Sequence, residues 1–331
     1  IILYTMLIRN DNGMAIYFTF FYMLSNKMRI FAKTYFMTVQ HMETIQNEQL
    51  RVVVSPHGAE LQSIKNAKGH EYLWQADPKY WGRHSPILFP VVGTLWNGTA
   101  HFGNTDTHMG RHGFARDMDF ELIAKGDEQV VFALHDNEET RTKYPCHFNL
   151  AVSYKLKGNT LKVTWHVENT DDKPIAFQIG GHPAFNLPEV TANDAMHGRL
   201  QLDDTAPIRR FIDHNSGCLD ASRHETVDTE DGLLAFNEDT FKNDALIFDH
   251  SQLHQVALLN PDDTPAVVVS FKSPAVGIWS PYGKNAPFIC IEPWYGVTDL
   301  VDYDGNFADR YLTNSLLPGS SFMSQYTITL G

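Results

Sequence analysis

The stretch Ala151-Val-Ser-Tyr-Lys-Leu-Lys-Gly-Asn-Thr-Leu-Lys-Val-Thr-Trp-His-Val-Glu168 decides the fold class of this chain. Apolar and polar residues alternate in residues 151–156 and again in residues 161–168, and the polar turn Lys157-Gly-Asn-Thr160 separates the two runs. A period of two is typical of strands that bury one face and expose the other. The stretch therefore predicts a hairpin of two antiparallel strands.

Short runs of the same kind recur from residue 48 to residue 330, separated by turns rich in Gly, Pro, Asn and Asp. They cover residues 50–54, 120–124, 129–134, 256–259, 266–271, 276–279 and 288–292. No helical period is sustained after residue 45. This spacing predicts an all-β chain whose single domain, residues 43–331, is a large antiparallel β-sandwich.

Residues 1–42 differ in composition from the rest of the chain. They hold six of the ten methionines and an uncharged run at residues 14–24. That run is too short for a membrane span, which needs about 20 apolar residues, and no small-residue cleavage site follows it. We interpret residues 1–42 as an atypical N-terminal extension outside the domain, with Met42 as the natural start. An interfacial or packing helix and a targeting signal are the alternatives.

The composition excludes several classes of function. The formal net charge is −13, whereas binding to nucleic acid phosphates needs a basic surface. The three cysteines, Cys146, Cys218 and Cys290, are far apart and form no Cys-x-x-Cys pair, which predicts no disulfide framework, no zinc site and a reducing cytoplasm. Glycine-rich nucleotide motifs and Gly-x-Ser-x-Gly are also absent from the sequence.

Two glycine-bounded clusters carry basic residues. Arg83 lies in Tyr80-Trp-Gly-Arg-His-Ser-Pro86, and His112 and Arg116 lie in Met109-Gly-Arg-His-Gly-Phe-Ala-Arg116. Guanidinium groups suit sugar hydroxyls, carboxylates and phosphates. Each residue has a simpler interpretation, as an exposed arginine or a structural histidine.

Two further clusters carry groups that can transfer protons. His182 lies in Ile179-Gly-Gly-His-Pro-Ala-Phe-Asn-Leu187, where the two glycines and the proline predict a tight, rigid turn at a strand end. Glu292 ends the apolar run at residues 288–292 and precedes Pro293, Trp294 and Tyr295. Apolar neighbours would desolvate this carboxylate, raise its pKa and improve it as a base. The alternative is a surface glutamate.

Taken together, the four clusters resemble the aldose 1-epimerase (galactose mutarotase) superfamily, and most closely its LacX-like branch. The resemblance runs from about residue 50 to residue 330. It implies a large β-supersandwich and a cofactor-independent isomerase that interconverts the α and β anomers of an aldohexose. The implied partner is a small sugar rather than a nucleic acid, a membrane or a metal, and the implied protein is a cytoplasmic monomer or homodimer.

The resemblance also implies roles for individual residues. His182 would be the general acid toward the ring oxygen, and Glu292 would be the base at the C1 hydroxyl. The implied sugar-binding residues are Arg83, His112, Arg116, Asp244 and Trp279. Asp249 competes with Asp244 for the role of the sugar-binding aspartate.

The chain departs from the galactose mutarotase pattern at two places. Arg83-His84-Ser85 replaces an Asn-Arg segment, and Glu292-Pro293-Trp294 replaces Glu-Thr-Gln. Both replacements, and the segment His112-Gly-Phe-Ala-Arg116, resemble the hexose-6-phosphate epimerase branch, in which Arg83 and Arg116 could share a phosphate. A non-catalytic sugar-binding protein of the same fold is a further alternative, although both the acid and the base are present.

Overall fold

The computed structural model of this chain describes residues 2–9, 15–22, 32–37, 41–191 and 194–331. It divides into two compact units, Ile1–His41 and Met42–Gly331. In the first unit, β1 (Ile2–Arg9), β2 (Ala15–Tyr22) and β3 (Ala32–Met37) form an antiparallel sheet in that order. The alternative of a helix at residues 14–24 is therefore wrong for the described residues of that run, which form β2. Their aromatic and β-branched residues favour an extended backbone.

The second unit consists mostly of strands. In chain order they are β4 (Glu43–Gln46), β5 (Leu50–Val54), β6 (Leu61–Asn66), β7 (Ile87–Leu88), β8 (Thr99–Phe102), β9 (Thr105–His108), β10 (Glu121–Lys125), β11 (Gln129–His135), β12 (Phe148–Lys157), β13 (Thr160–Asn169), β14 (Ile175–Phe177), β15 (Ile179–Gly181) and β16 (Ala184–Asn186). They continue with β17 (His197–Leu202), β18 (Ile208–Ile212), β19 (Leu219–Thr226), β20 (Leu233–Asn237), β21 (Leu246–Phe248), β22 (Gln255–Leu259), β23 (Pro265–Phe271), β24 (Ala275–Trp279), β25 (Phe288–Tyr295), β26 (Asn314–Leu316) and β27 (Ser321–Leu330).

Helices are short in the described residues. The α-helix α1 spans Glu138–Lys143 and begins at a capping box formed by Asn137 and Thr140. Single 3₁₀ turns occupy Trp96–Gly98, Ala115–Asp117, Glu238–Phe241 and Phe307–Asp309. No helix of the described residues is long and apolar enough to cross a membrane.

Two large antiparallel sheets form the body of this unit. The first has nine strands in the order β10-β11-β12-β13-β27-β23-β22-β17-β20. The second has eight strands and runs β19-β18-β21-β24-β25-β15-β7, with β16 also paired to β25. Smaller sheets are β4-β5-β6, β8-β9 and β14-β26. The predicted all-β fold with large antiparallel sheets is confirmed, and the hairpin predicted at residues 151–168 is the pair β12–β13.

The main core joins the two large sheets. Trp165 and Tyr326 of the nine-stranded sheet belong to the same buried cluster as Ile289 and Ile291 of β25. Successive side chains of a strand point to opposite faces, so Cys290, Glu292 and Trp294 of β25 lie on the other face of the eight-stranded sheet. That outer face holds the candidate site.

One strand end was predicted wrongly. The apolar run was expected to end at Glu292, but β25 continues to Tyr295 through Pro293. Proline lacks a backbone N–H donor, but it fits an extended strand at a position where the sheet needs no hydrogen bond from that residue. On one edge of β25 the partner changes from β16 to β15 opposite this proline, so the missing N–H falls at a break in the pairing.

Candidate active site

His182 and Glu292 lie directly opposite each other on the outer face of the eight-stranded sheet. Ala184 pairs with Cys290 on one side of the break between β15 and β16, and Gly180 pairs with Trp294 on the other side. The same register places His182 opposite Glu292, and the two side chains meet with 3.2 Å between Nε2 and Oε2. The fold thus joins the predicted acid and the predicted base.

The two glycines before His182 have a different structural role from the predicted one. They are extended residues of β15 and form no tight turn. A Cβ at Gly180 would lie 2.7 Å from the Trp294 ring, and a Cβ at Gly181 would lie 2.9 Å from the Tyr326 hydroxyl. They are needed because large side chains pack directly on their backbone.

Burial shifts both members of the pair toward their uncharged forms. It lowers the pKa of His182 to about 3, an effect to which Arg116, Arg111 and Arg83 add. It also raises the pKa of Glu292 well above its ordinary value, and the Asp244 carboxylate raises it further. Both shifts favour the state in which a neutral imidazole lies beside a protonated carboxyl.

Several buried polar atoms around the pair have no hydrogen-bond partner among the described residues. They are His182 Nδ1, Glu292 Oε2 and Trp294 Nε1. The contact between Nε2 and Oε2 is short enough for a hydrogen bond but lacks the angle of one. Buried polar groups are almost always satisfied in a functional state, so these atoms mark a place for a polar ligand.

His112 presents an N–H group to the same place. Its own backbone is left-handed, with a φ of 70°, and its Nδ1 accepts a hydrogen bond of 3.1 Å from the backbone N–H of Gly93. Burial lowers the pKa of His112 well below its ordinary value, so the ring is neutral and its proton is on Nε2. The ring packs edge to face with His182 at 5.5 Å. His112 is therefore a fixed hydrogen-bond donor.

Aromatic rings surround the pair. Trp81 stacks on His182 with ring centroids 4.8 Å apart, and Trp279 meets the same ring edge to face at 5.7 Å. Such rings exclude water and offer flat apolar faces. Trp279 was predicted from the sequence as a site residue, whereas Trp81 was not.

The two predicted arginines occupy different positions relative to the cavity. Arg116 lines the cavity beside His182, and Arg83 does not. The Arg83 guanidinium instead forms an ion pair of 2.6 Å with Asp117, whose other oxygen lies 3.8 Å from Nε of Arg116. Glu60 fixes this loop because its carboxylate accepts the backbone N–H groups of His84 and Ser85. Arg83 thus contacts the site through Asp117 and Arg116.

The two candidate aspartates, Asp244 and Asp249, occupy different places in the structure. Asp244 lines the cavity and lies 3.9 Å from the Arg111 guanidinium. Asp249 is buried elsewhere, where it accepts hydrogen bonds from Tyr311 and His250. Of the two aspartates, Asp244 lines the cavity that His182 and Glu292 also line, and Asp249 does not.

The cavity around these residues has a volume of about 320 Å³, which is in the range of small-molecule sites. The predicted residues on its wall are His112, Arg116, His182, Asp244, Trp279 and Glu292. Additional polar or aromatic lining residues are Tyr80, Trp81, Arg111, Lys284, Trp294 and Thr298. The arrangement can exchange protons with a small polyhydroxylated ligand while rings and guanidinium groups hold it.

Known proteins are similar to this chain in sequence and in fold. Residues 41–307 match the family model described as aldose 1-epimerase. The chain belongs to the aldose 1-epimerase family. The chromosomal protein LacX of Lactococcus lactis subsp. lactis is 31% identical over 295 residues, which make up 86% of this chain and 98% of that protein. The resemblance to the LacX-like branch is confirmed.

Solved structures of aldose 1-epimerase relatives support the fold. A galactose mutarotase related enzyme from Lactobacillus acidophilus is 38% identical, with a TM-score of 0.83 over 88% of this chain and 97% of its own. A galactose mutarotase-like protein from Lactobacillus casei is 31% identical, with a TM-score of 0.82 over 88% of this chain and 100% of its own. The predicted galactose mutarotase-like supersandwich is therefore confirmed.

One group of side chains in this family member has the spacing of a metal site. His182, Cys290 and Glu292 each place a ligand atom within 4.8 Å of the other two. Burial raises the pKa of the Cys290 thiol well above its ordinary value, as it does for Glu292. A bound metal would need both the thiol and the carboxyl deprotonated.

Four of the additional polar or aromatic lining residues lie inside the four sequence clusters. Tyr80 and Trp81 precede Arg83, Arg111 precedes His112, and Trp294 follows Glu292 by two positions. Their positions next to the predicted residues in the sequence were the signal that could have identified them. Lys284 lies in no cluster, and nothing in the sequence pointed to it.

Proposed function

We propose that this member of the aldose 1-epimerase family is a mutarotase that interconverts the α and β anomers of an aldohexose without a cofactor. The observation that carries the proposal is the contact between the buried side chains of His182 and Glu292 on the wall of an aromatic-lined cavity. We expect a cytoplasmic monomer or homodimer.

The chemistry needs two groups that together hold one proton. During ring opening Glu292 takes the proton of the C1 hydroxyl, the O1 electron pair forms the C1=O1 bond, the C1–O5 bond breaks, and His182 gives O5 its proton. The aldehyde then rotates about the C1–C2 bond, and the same proton transfers run backwards on its other face. General acid–base assistance contributes about 10²–10⁴-fold.

The protonation state that burial favours corresponds to the middle of this cycle. A protonated Glu292 beside a neutral His182 is the state that follows ring opening. The state that starts ring opening has the same number of protons, with the proton on His182 instead. Exchange between the two states requires a transfer only across the 3.2 Å contact.

Polarimetry tests the proposal directly. Freshly dissolved α-D-glucose and α-D-galactose are followed with and without protein, and E292Q serves as the matched control. Acceleration by the wild type that the control lacks supports a mutarotase. Binding of the sugar in calorimetry without any acceleration would instead favour a non-catalytic sugar-binding protein.

A second candidate substrate is a hexose 6-phosphate. It is favoured by the three cations on the cavity wall, Arg111, Arg116 and Lys284, because phosphate dianions pair strongly with guanidinium groups. The same polarimetric assay with glucose 6-phosphate and galactose 6-phosphate compares the two substrate classes. A higher kcat/KM for the phosphorylated sugar would replace the free hexose as the substrate.

A further inference from the structure

Trp294 has a buried polar atom that the acid–base pair leaves unexplained. Its side chain is 5% exposed and lines the cavity, and its Nε1 lies near the Glu292 carboxyl without the geometry of a hydrogen bond to any described residue. An indole nitrogen is a donor only. A buried indole N–H usually has an acceptor, so an acceptor belongs at this point of the cavity.

Two glycines on neighbouring strands fix the indole in place. Gly180 lies opposite Trp294 on β15, and a Cβ there would lie 2.7 Å from Cδ1 of the indole. Gly277 lies opposite Glu292 on β24, and a Cβ there would lie 2.4 Å from Cη2. The indole therefore occupies the space beside Glu292 that a side chain at residue 277 would fill.

This packing gives Glu292 a different neighbour on each side. His182, directly after β15, is opposite it on one side, and the Trp294 indole covers the glycine opposite it on β24. Glu292 Oε2 also has no hydrogen bond of good geometry within the described part of the chain. A hydroxyl group can donate one hydrogen bond and accept others, so one hydroxyl can satisfy both the carboxylate oxygen and the indole N–H.

We propose that Trp294 is a third catalytic residue, whose indole N–H donates a hydrogen bond to O1 of the sugar while Glu292 removes the O1 proton. This inference rests on the proposed mutarotase function. The O1 oxygen carries partial negative charge between loss of its proton and formation of the C1=O1 bond. A fixed donor aimed at such an oxygen stabilises the transition state more than the ground state. Trp294 itself gains and loses no proton, so the proton balance between Glu292 and His182 is unchanged.

The decisive variant is W294F, which keeps an aromatic ring between the two glycines and removes the N–H. W165F is the matched control, since Trp165 is a fully buried tryptophan of the main core whose Nε1 also has no hydrogen-bond partner among the described residues. Polarimetric kcat and KM and the melting temperature are measured for both variants and the wild type. We expect kcat to fall at least about tenfold in W294F, with a smaller change in KM, because loss of one oxyanion donor costs about 10²–10³-fold where the charge is larger. W165F should keep kcat within about threefold of the wild type while losing stability.

A full pH profile separates catalysis from an indirect role. A tryptophan that only tuned Glu292 would move the limbs of the profile, and W294F would regain the wild-type kcat at another pH. That recovery, or a kcat within about twofold of the wild type at all pH values, would overturn the proposal. If W294F does not fold, W294Q and W294L are compared at a temperature where both are folded, since glutamine restores an N–H donor and leucine does not. Equal kcat values for that pair would overturn it as well. A wild type that accelerates no sugar refutes the mutarotase function itself, which distinguishes the two failures.

Discussion

The imidazole of His182 faces the carboxyl of Glu292 across two neighbouring antiparallel strands, with 3.2 Å between Nε2 and Oε2. Both side chains are almost completely buried. Because the two side chains contact each other directly, the two groups form one proton-holding unit.

We expect H182A and E292Q each to lower kcat by about 10²-fold or more. Groups that act as a unit are not additive, so the double variant should be little worse than either single one. Polarimetry on glucose and galactose gives kcat, and circular dichroism verifies folding. Near wild-type kcat in a folded single variant would refute the assignment, and strictly multiplicative losses would refute the shared unit.

We expect H112A to raise KM and also to lower kcat. The ring of His112 is held by the backbone N–H of Gly93 so that Nε2 donates into the cavity, and a sugar that loses this donor is poorly aligned with its acid and base. Steady-state polarimetry separates the two constants. An unchanged KM would show that this histidine does not hold the sugar.

The arginines should differ in their response to a phosphorylated substrate. Arg116 lines the cavity, whereas the Arg83 guanidinium is paired with Asp117. If a phosphate is bound here, R116A should weaken the 6-phosphorylated sugar far more than the free sugar, by roughly 10- to 150-fold, corresponding to about 1.5–3 kcal/mol for a charge-assisted contact.

R83A is the comparison for the phosphate test. It should produce a smaller loss, since Arg83 acts through Asp117 and Arg116. Kinetics on glucose and glucose 6-phosphate measure both variants. A large phosphate-selective loss in R83A would show that its ion pair with Asp117 opens for the ligand.

The pH dependence of kcat/KM should show a wide plateau. The acid limb requires a second proton on the pair, and burial lowers the pKa of His182 to about 3. The limb should therefore lie well below the ordinary histidine pKa of about 6.5. The basic limb requires loss of the one proton, which the raised pKa of Glu292 delays to values well above the ordinary carboxylate range. Polarimetry across pH, corrected for spontaneous mutarotation, tests this, and an acid limb at about 6.5 would contradict it.

We expect a chain shortened to begin at Met42 to fold and to keep its activity. The boundary between the two compact units falls between His41 and Met42, and every residue on the cavity wall lies after it. Melting temperature and polarimetry compare the shortened and full chains. Insolubility or inactivity of the shortened chain alone would assign a structural role to the first 41 residues.

Some features of this protein followed from the sequence because their causes are local. Alternation of apolar and polar residues depends only on the period of a strand, and it predicted the pair β12–β13 and the all-β class. The clusters around His182 and Glu292 were recognisable because proton transfer and sugar binding need particular residue types. The order of these clusters also indicated the aldose 1-epimerase family.

Only the tertiary structure decided which of these residues meet. His182 and Glu292 become partners through strand register, and Asp244 rather than Asp249 reaches the cavity because of the loop before β21. Arg83 matched the family position, yet its side chain pairs with Asp117 from another segment. The place of Trp294 depends on the missing side chains of Gly180 and Gly277 on two other strands. Contacts, burial and the pKa shifts they cause depend on segments distant in the chain, so no local pattern can contain them.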